Sequence, residues 1–149
     1  MATNHVVLVA DDNPDLLALL ESRLVRRGYT VVTATNGKEA LDAAWKSHPD
    51  VIVLDWMMPL VPGSEVCAEL KDSPRTEMIP VILLTSKSTE HDVSSGFAFG
   101  ADEFITKPFD FDEVERTIQR LIAEHPVPRR AGDAKKPPRR GPTRPTRRL

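Results

Sequence analysis

The sequence of 149 residues contains a single cysteine, Cys67, so no disulfide can form within the chain and a cysteine-based metal site has no basis. Histidine is scarce too. His5, His48, His91 and His125 stand apart without ligand spacing and read as structural or solvated. Long apolar runs are missing: stretches such as Val6 to Ala10 and Val81 to Leu84 fall far short of the ~20 residues that span a bilayer. The start, MATNHVVLVADD, has neither the basic opening nor the long apolar centre of a signal peptide, and a cytoplasmic location is expected. Phosphate-binding loops of the P-loop and GxGxxG kinds are also absent.

What is present is divided unevenly. Hydrophobic residues make up 40%, enough for one self-sufficient core at this length. The net charge of −2 conceals a split. Residues 129–149 hold nine Lys or Arg against one acid, Asp133, a net of +8. Residues 1–128 hold eleven basic and twenty-one acidic residues, a net of −10. An acidic domain thus precedes a basic tail.

Short apolar runs alternate with amphipathic stretches. HVVLVA (5–10), TVVTA (30–34), VIVL (51–54), PVILL (80–84) and EFI (103–105) read as strands. Several are apolar at consecutive positions, the pattern of a parallel strand covered on both faces. Asn13 and Pro14 open a helix carrying Leu16, Leu17, Leu20 and Leu24 on one stripe, which Gly28 ends. Asn36 with Glu39, and Asp110 with Glu113, offer capping boxes; the second precedes Val114, Ile118, Leu121 and Ile122. A third helix is expected over about 63–71 and a fourth over about 88–99. Strict alternation predicts an α/β domain with a parallel sheet and five flanking helices. After His125 the chain holds six of the thirteen prolines and few apolar residues. Residues 1–125 are therefore expected to fold and 126–149 to form a disordered tail.

In an open α/β sheet, ligands bind beyond the carboxyl ends of the strands. Asp11 and Asp12 end the first strand here, Asp55 the third and Thr85 the fourth, while Lys107 follows the fifth, with Pro108 next. Each has a plain reading: Asp11 and Asp12 can help cap a helix, Thr85 suits a strand, and Lys107 a solvated turn. Convergence changes the weighing. Two carboxylates ~4 Å apart repel by about 4 kcal/mol at an effective dielectric near 20. A hard divalent cation removes that cost, and Mg²⁺ suits a partly open oxygen site that also takes phosphate.

The stretches VADDNPDL, VIVLDWMMPLVPG, VILLTSK and GADEFITKPF resemble, in order and spacing, the motifs of the response-regulator receiver domain, over about residues 5 to 124. Five strands in about 125 residues suggest the doubly wound, flavodoxin-like strand order 2-1-3-4-5, which is also the order known for receivers. The resemblance implies that Asp55 accepts a phosphoryl group from a phosphohistidine on a sensor histidine kinase or phosphotransfer protein. It implies that Asp12, Asp55 and the backbone carbonyl of Met57 bind Mg²⁺, with Asp11 acting through water. Lys107 would neutralise developing charge, and Thr85 would donate a hydrogen bond to the acyl phosphate. Phe104 would then change rotamer, remodelling the face of the fourth helix, fifth strand and fifth helix for a downstream protein or a phosphorylation-dependent homodimer.

By the same resemblance the chain is not an enzyme in the ordinary sense; it assists its own phosphorylation and dephosphorylation. Met57 and Lys87, two residues after Asp55 and Thr85, flank the route of hydrolytic water, and Met57 cannot orient water, so slow phosphate loss is expected. Lys107–Pro108 resembles the family's cis peptide. Cys67 is expected to be a buried small hydrophobe.

Other readings compete. The basic tail could bind nucleic acid or another polyanion through phosphate contacts, although it has no aromatic residue for stacking. It could also fold back on the acidic domain or remain a solvated linker. A haloacid-dehalogenase-type phosphatase needs a second acid two residues after the first, and Met57 stands there. A flavodoxin-type binder would meet an acidic loop after strand one. No membrane partner is expected.

Overall fold

A computed structural model describes residues 5–86 and 100–125. The helix expected over about 88–99, the tail at 126–149, and Lys87 and His91 lie outside the described residues. The elements are β1 (Val6–Ala10), α1 (Pro14–Arg26), β2 (Thr30–Ala34), α2 (Gly37–Ser47), β3 (Val51–Asp55), α3 (Gly63–Lys71), β4 (Val81–Ser86), β5 (Glu103–Lys107) and α4 (Phe111–Glu124). All strands pair in parallel in the order β2-β1-β3-β4-β5, as expected.

The consecutive apolar residues of the strands divide between two cores. Leu8, Ile52, Leu54 and Leu83 join Ala40, Leu41, Val66 and Leu70 of α2 and α3 on one face. Val7, Val9, Val51, Val53, Ile82 and Leu84 join Leu17, Leu20 and Leu24 of α1 and Val114, Ile118 and Leu121 of α4 on the other. Alternate side chains of a strand point to opposite faces, so both faces of the central strands need apolar residues. Cys67 is fully buried in the first core, where desolvation pushes its thiol up to about 11, so it packs as a small hydrophobe.

Helix starts follow the sequence with two refinements. Asn13 Oδ1 accepts from Asp15 N and Leu16 N, with Pro14 at the first helical position. Asn36 Oδ1 accepts from Glu39 N at 2.8 Å, but the Glu39 carboxylate reaches back to Thr35 N and Oγ1 rather than to Asn36. At α4, Asp110 Oδ1 takes Asp112 N, and Glu113 N bonds to the Asp110 carbonyl. Gly28 ends α1 at φ 97°, where its missing Cβ avoids a steric penalty.

Two polar networks fasten the frame. On one flank Arg23 Nε meets Glu115 Oε2 at 2.9 Å, its NH2 meets Asp112, and its guanidinium lies 5.2 Å from the Phe111 ring centroid. Arg27 approaches Glu115 Oε1 at 2.9 Å, off hydrogen-bonding geometry. At the starts of β4 and β5, Asp102 Oδ2 accepts from Val81 N and Lys71 Nζ, tying β4, β5 and α3 together. These leave the carboxyl edge free to carry chemistry.

Candidate functional site

Strand order decides which end residues meet. β1 lies between β2 and β3, so Asp11 and Asp12, just past β1, stand beside Asp55, the last residue of β3. Carboxylate oxygens of all three lie within 4.8 Å of one another. Lys107 ends β5, beyond β4, and its stem carries Nζ to 3.2 Å from Asp11 Oδ2 and 3.3 Å from Asp55 Oδ1. Residues 96 positions apart in the chain are thus joined at one edge.

The three acids differ in environment. Asp11 is fully buried and both its oxygens are engaged, Oδ1 by Asn13 N at 2.9 Å and Oδ2 by Lys107. Asp12 is exposed. Asp55 is 7% exposed. Its burial, then the charge of Asp11, push its carboxyl up to about 6; Lys107 pulls the other way, and Asp12 adds a smaller upward push. Burial disfavours the Lys107 ammonium, but the charges of Asp55 and Asp11 outweigh it, and the ammonium titrates above its ordinary range. Three carboxylates facing one ammonium leave an excess of negative charge. Hard oxygen donors with one exposed acid fit a cation of the Mg²⁺ kind.

Thr85 is buried next to the end of β4, in register with Thr106, and Leu84 beside it pairs with Asp55. Phe104 is half-buried against the first core, its ring centroid 6.3 Å from that of Trp56. Met57 is 66% exposed in the β3–α3 loop. The Lys107–Pro108 peptide is cis, as the sequence suggested. His125, read as structural or solvated, caps α4 and its Nε2 lies 3.9 Å from Asp102 Oδ1, away from this edge.

Three contributors escaped the sequence reading. The main-chain N–H of Asn13 orients Asp11, a role no side-chain pattern announces. Trp56, directly after Asp55, donates N–H to Leu84 O and accepts from Gly63 N, and its aromatic type was the available signal. Gly63 gives α3 a start with no side chain: a Cβ there would lie 2.2 Å from the Asp55 carbonyl oxygen.

The family model for the response regulator receiver domain matches residues 7–119 of this chain. The chain belongs to that family. Among curated relatives, this receiver is 41% identical over 119 residues to the alkaline phosphatase synthesis transcriptional regulatory protein PhoP of Bacillus subtilis, covering 80% of this chain and 49% of the relative. It spans about half the length of the curated relatives it matches, so their whole-protein activities do not transfer. The signal receiver domain of a signal transduction histidine kinase from Syntrophus aciditrophicus superposes with a TM-score of 0.78 at 34% identity, over 84% of this chain and 95% of that one. The receiver domain of sensor histidine kinase PA1611 from Pseudomonas aeruginosa, solved with a magnesium ion in its active-site cleft, gives a TM-score of 0.74 at 26% identity, over 81% and 99%. Receivers of two-component systems are phosphorylated by histidine kinases and act on downstream targets. Among the described residues of this receiver, no helix is long and apolar enough to cross a membrane.

Proposed function

We propose that this receiver is a phosphorylation-dependent switch whose acceptor is Asp55. The observation that carries the reading is Lys107 Nζ set between Asp11 and Asp55, at 3.2 and 3.3 Å, beside the exposed Asp12. A carboxylate oxygen of Asp55 attacks the phosphorus of a phosphohistidine; the P–N bond breaks, an acyl phosphate forms, and the imidazole leaves and takes up a proton. Asp12, Asp55 and the Met57 carbonyl would hold Mg²⁺, with Asp11 acting through water. When bound, the ion neutralises charge on the phosphoryl oxygens. Lys107 stabilises one such oxygen, and its strand-end position costs no reorganisation during the reaction. Thr85 then donates a hydrogen bond from its hydroxyl to the acyl phosphate.

The output follows from packing. Movement of Thr85 frees space that Phe104 takes up, so phosphorylation biases two existing arrangements of the face that includes β5 and α4. A downstream protein target, or a second copy, reads that face. The folded unit is taken as 1–125 and the basic tail as 126–149.

Intact-protein mass after incubation with Mg²⁺ and acetyl phosphate tests the reading. One phosphoryl increment is expected, absent from Asp55→Asn and from a metal-free control. An increment that persists in Asp55→Asn would sink it.

A further inference from the structure

On the flank between α1 and α4, one buried carboxylate is only half satisfied. Glu115 is 8% exposed, and its Oε2 accepts from Arg23 Nε at 2.9 Å. Its Oε1 lies 2.9 Å from Arg27 NH2 but receives no hydrogen bond, and among the described residues no other buried side-chain oxygen or nitrogen lacks one. Proteins pair such atoms with their own groups, with water or with a ligand.

Glu115 lines an open cleft of about 160 Å³ together with Arg23, Arg26 and Arg27. Arg23 is committed: its NH2 donates to Asp112 Oδ1 and its guanidinium lies over the Phe111 ring. The other two have donors to spare. The Arg27 side chain is 61% exposed and meets Glu115 off hydrogen-bonding geometry. Arg26 is exposed, and among the described residues its side chain makes no hydrogen bond or ion pair. Three guanidiniums facing Glu115 and Asp112 leave a local net of +1, in a stretch, residues 1–128, whose net is −10. A basic last turn suits the dipole of α1, but that explains neither the cleft nor the unpaired oxygen.

The two needs differ in chemistry. Arg26 and Arg27 call for an anion, whereas Glu115 Oε1 calls for a hydrogen-bond donor. A bare anion meets the first need and sets its charge against a buried carboxylate. A phosphate group carrying one proton meets both: its charged oxygens accept from the arginines, and its P–OH donates to Oε1. A phosphomonoester has its second pKa near 6, so this form is accessible around neutral pH. Sulfate holds no proton there and has nothing to donate.

We propose that the cleft between α1 and α4 is a binding site for a protonated phosphate group, held by Arg26 and Arg27 and selected against sulfate by Glu115. Arg23 is the positioning residue, fixing the carboxylate through Oε2. The site lies at the last turn of α1, about 18 Å along the helix from Pro14 and the carboxyl edge of the sheet. It does not depend on Asp55 being the acceptor.

Backbone amide NMR titrations of the full chain test the proposal, without metal, at pH 6.5 and fixed ionic strength, using inorganic phosphate, glycerol 3-phosphate and sulfate. Both phosphates are expected to shift the amides of Arg26, Arg27 and Glu115 saturably, with sulfate at least about tenfold weaker. The order of the two phosphates tells free phosphate from an ester as the source. Arg26→Gln, at an exposed side chain without an ion pair, should keep the fold and weaken phosphate about tenfold. Glu115→Gln supplies an amide N–H, so sulfate should rise to within about threefold of phosphate. Should Glu115→Gln not fold, the wild-type phosphate–sulfate comparison and Arg26→Gln decide alone. Equal binding of sulfate and phosphate by wild type overturns the proposal, leaving an adventitious anion on a basic helix end. Unchanged binding in Arg26→Gln, shifts confined to Asp12, Asp55 and Lys107, or no saturable shift at all also overturn it.

Discussion

Lys107 Nζ lies 3.3 Å from Asp55 Oδ1, so the proposed acceptor carboxylate is paired with a cation at the same strand-end edge. The same ammonium also pairs with the fully buried Asp11, at 3.2 Å from its Oδ2. Lys107→Ala removes both contacts and leaves two carboxylates facing each other. A broken buried ion pair costs about 3–5 kcal/mol, and Lys107 is 29% exposed, so about 2 kcal/mol of lost stability is expected near neutral pH. Denaturant unfolding at pH 7 measures it. Mg²⁺ added to the variant should restore part of the loss, because a divalent ion can replace the missing charge.

Asp55 predicts a pH dependence with a definite sign. Its carboxyl is raised to about 6 in the folded chain, first by burial and then by Asp11. A group whose folded pKa lies above its unfolded value favours the folded state at low pH, and that contribution is lost as pH rises through the folded pKa. Ionised Asp55 is therefore a stability cost above about pH 6, absent below the ordinary carboxylate range near 4. Asp55→Asn should be more stable than wild type by about 1–3 kcal/mol at pH 7.5 without metal, with the difference vanishing toward pH 4. Paired melts across that window check it, and a constant difference would refute it.

Why these residues were legible in the sequence, and others were not, follows from the range of the interactions. Val51 to Leu54 betrayed a two-faced strand because each face must be covered locally, wherever the helices come from. Asn13, Asn36 and Asp110 were readable as caps because a cap bonds within three residues. Asp11, Asp12, Asp55, Thr85 and Lys107 stood out as reactive types at strand ends. What the chain order could not show was tertiary. Glu115 meets Arg23 across 92 residues, and nothing near Glu115 marks it as buried. The positive φ of Leu60 contradicts its local preference and exists because Pro59 and Val61 are fixed against α2. Glu39 turning to Thr35 rather than Asn36 is a similar local choice that spacing alone leaves open.

Gly63 gives a prediction on geometry alone. A Cβ at this position would stand 2.2 Å from the Asp55 carbonyl oxygen and 3.1 Å from Trp56 Cα, both backbone atoms that cannot swing aside. Gly63→Ala must displace either the start of α3 or the end of β3. A loss of about 2–4 kcal/mol in unfolding free energy is expected, at the upper end of overpacking costs. The rate of labelling by acetyl phosphate should fall too, because β3 carries Asp55, the proposed acceptor. A variant of wild-type stability would show that the two elements separate more easily than their Gly63 N to Trp56 O bond suggests.

Met57 separates lifetime from stability. Its side chain is 66% exposed and joins neither core, so Met57→Asn should change unfolding free energy by no more than about 0.5 kcal/mol. The effect is expected on the acyl phosphate instead. Methionine at this position offers a bulky thioether that cannot orient an attacking water; an asparagine amide both shrinks the obstruction and supplies a donor and an acceptor. Following the decay of the phosphorylated mass after removal of acetyl phosphate, with Mg²⁺ held constant, a half-life several-fold shorter is expected in the variant. An unchanged half-life would mean that hydrolysis is limited elsewhere, most directly by the burial of Asp55 itself. In that case a substitution that opens the Asp55 pocket, and not one at Met57, should set the duration of the signal.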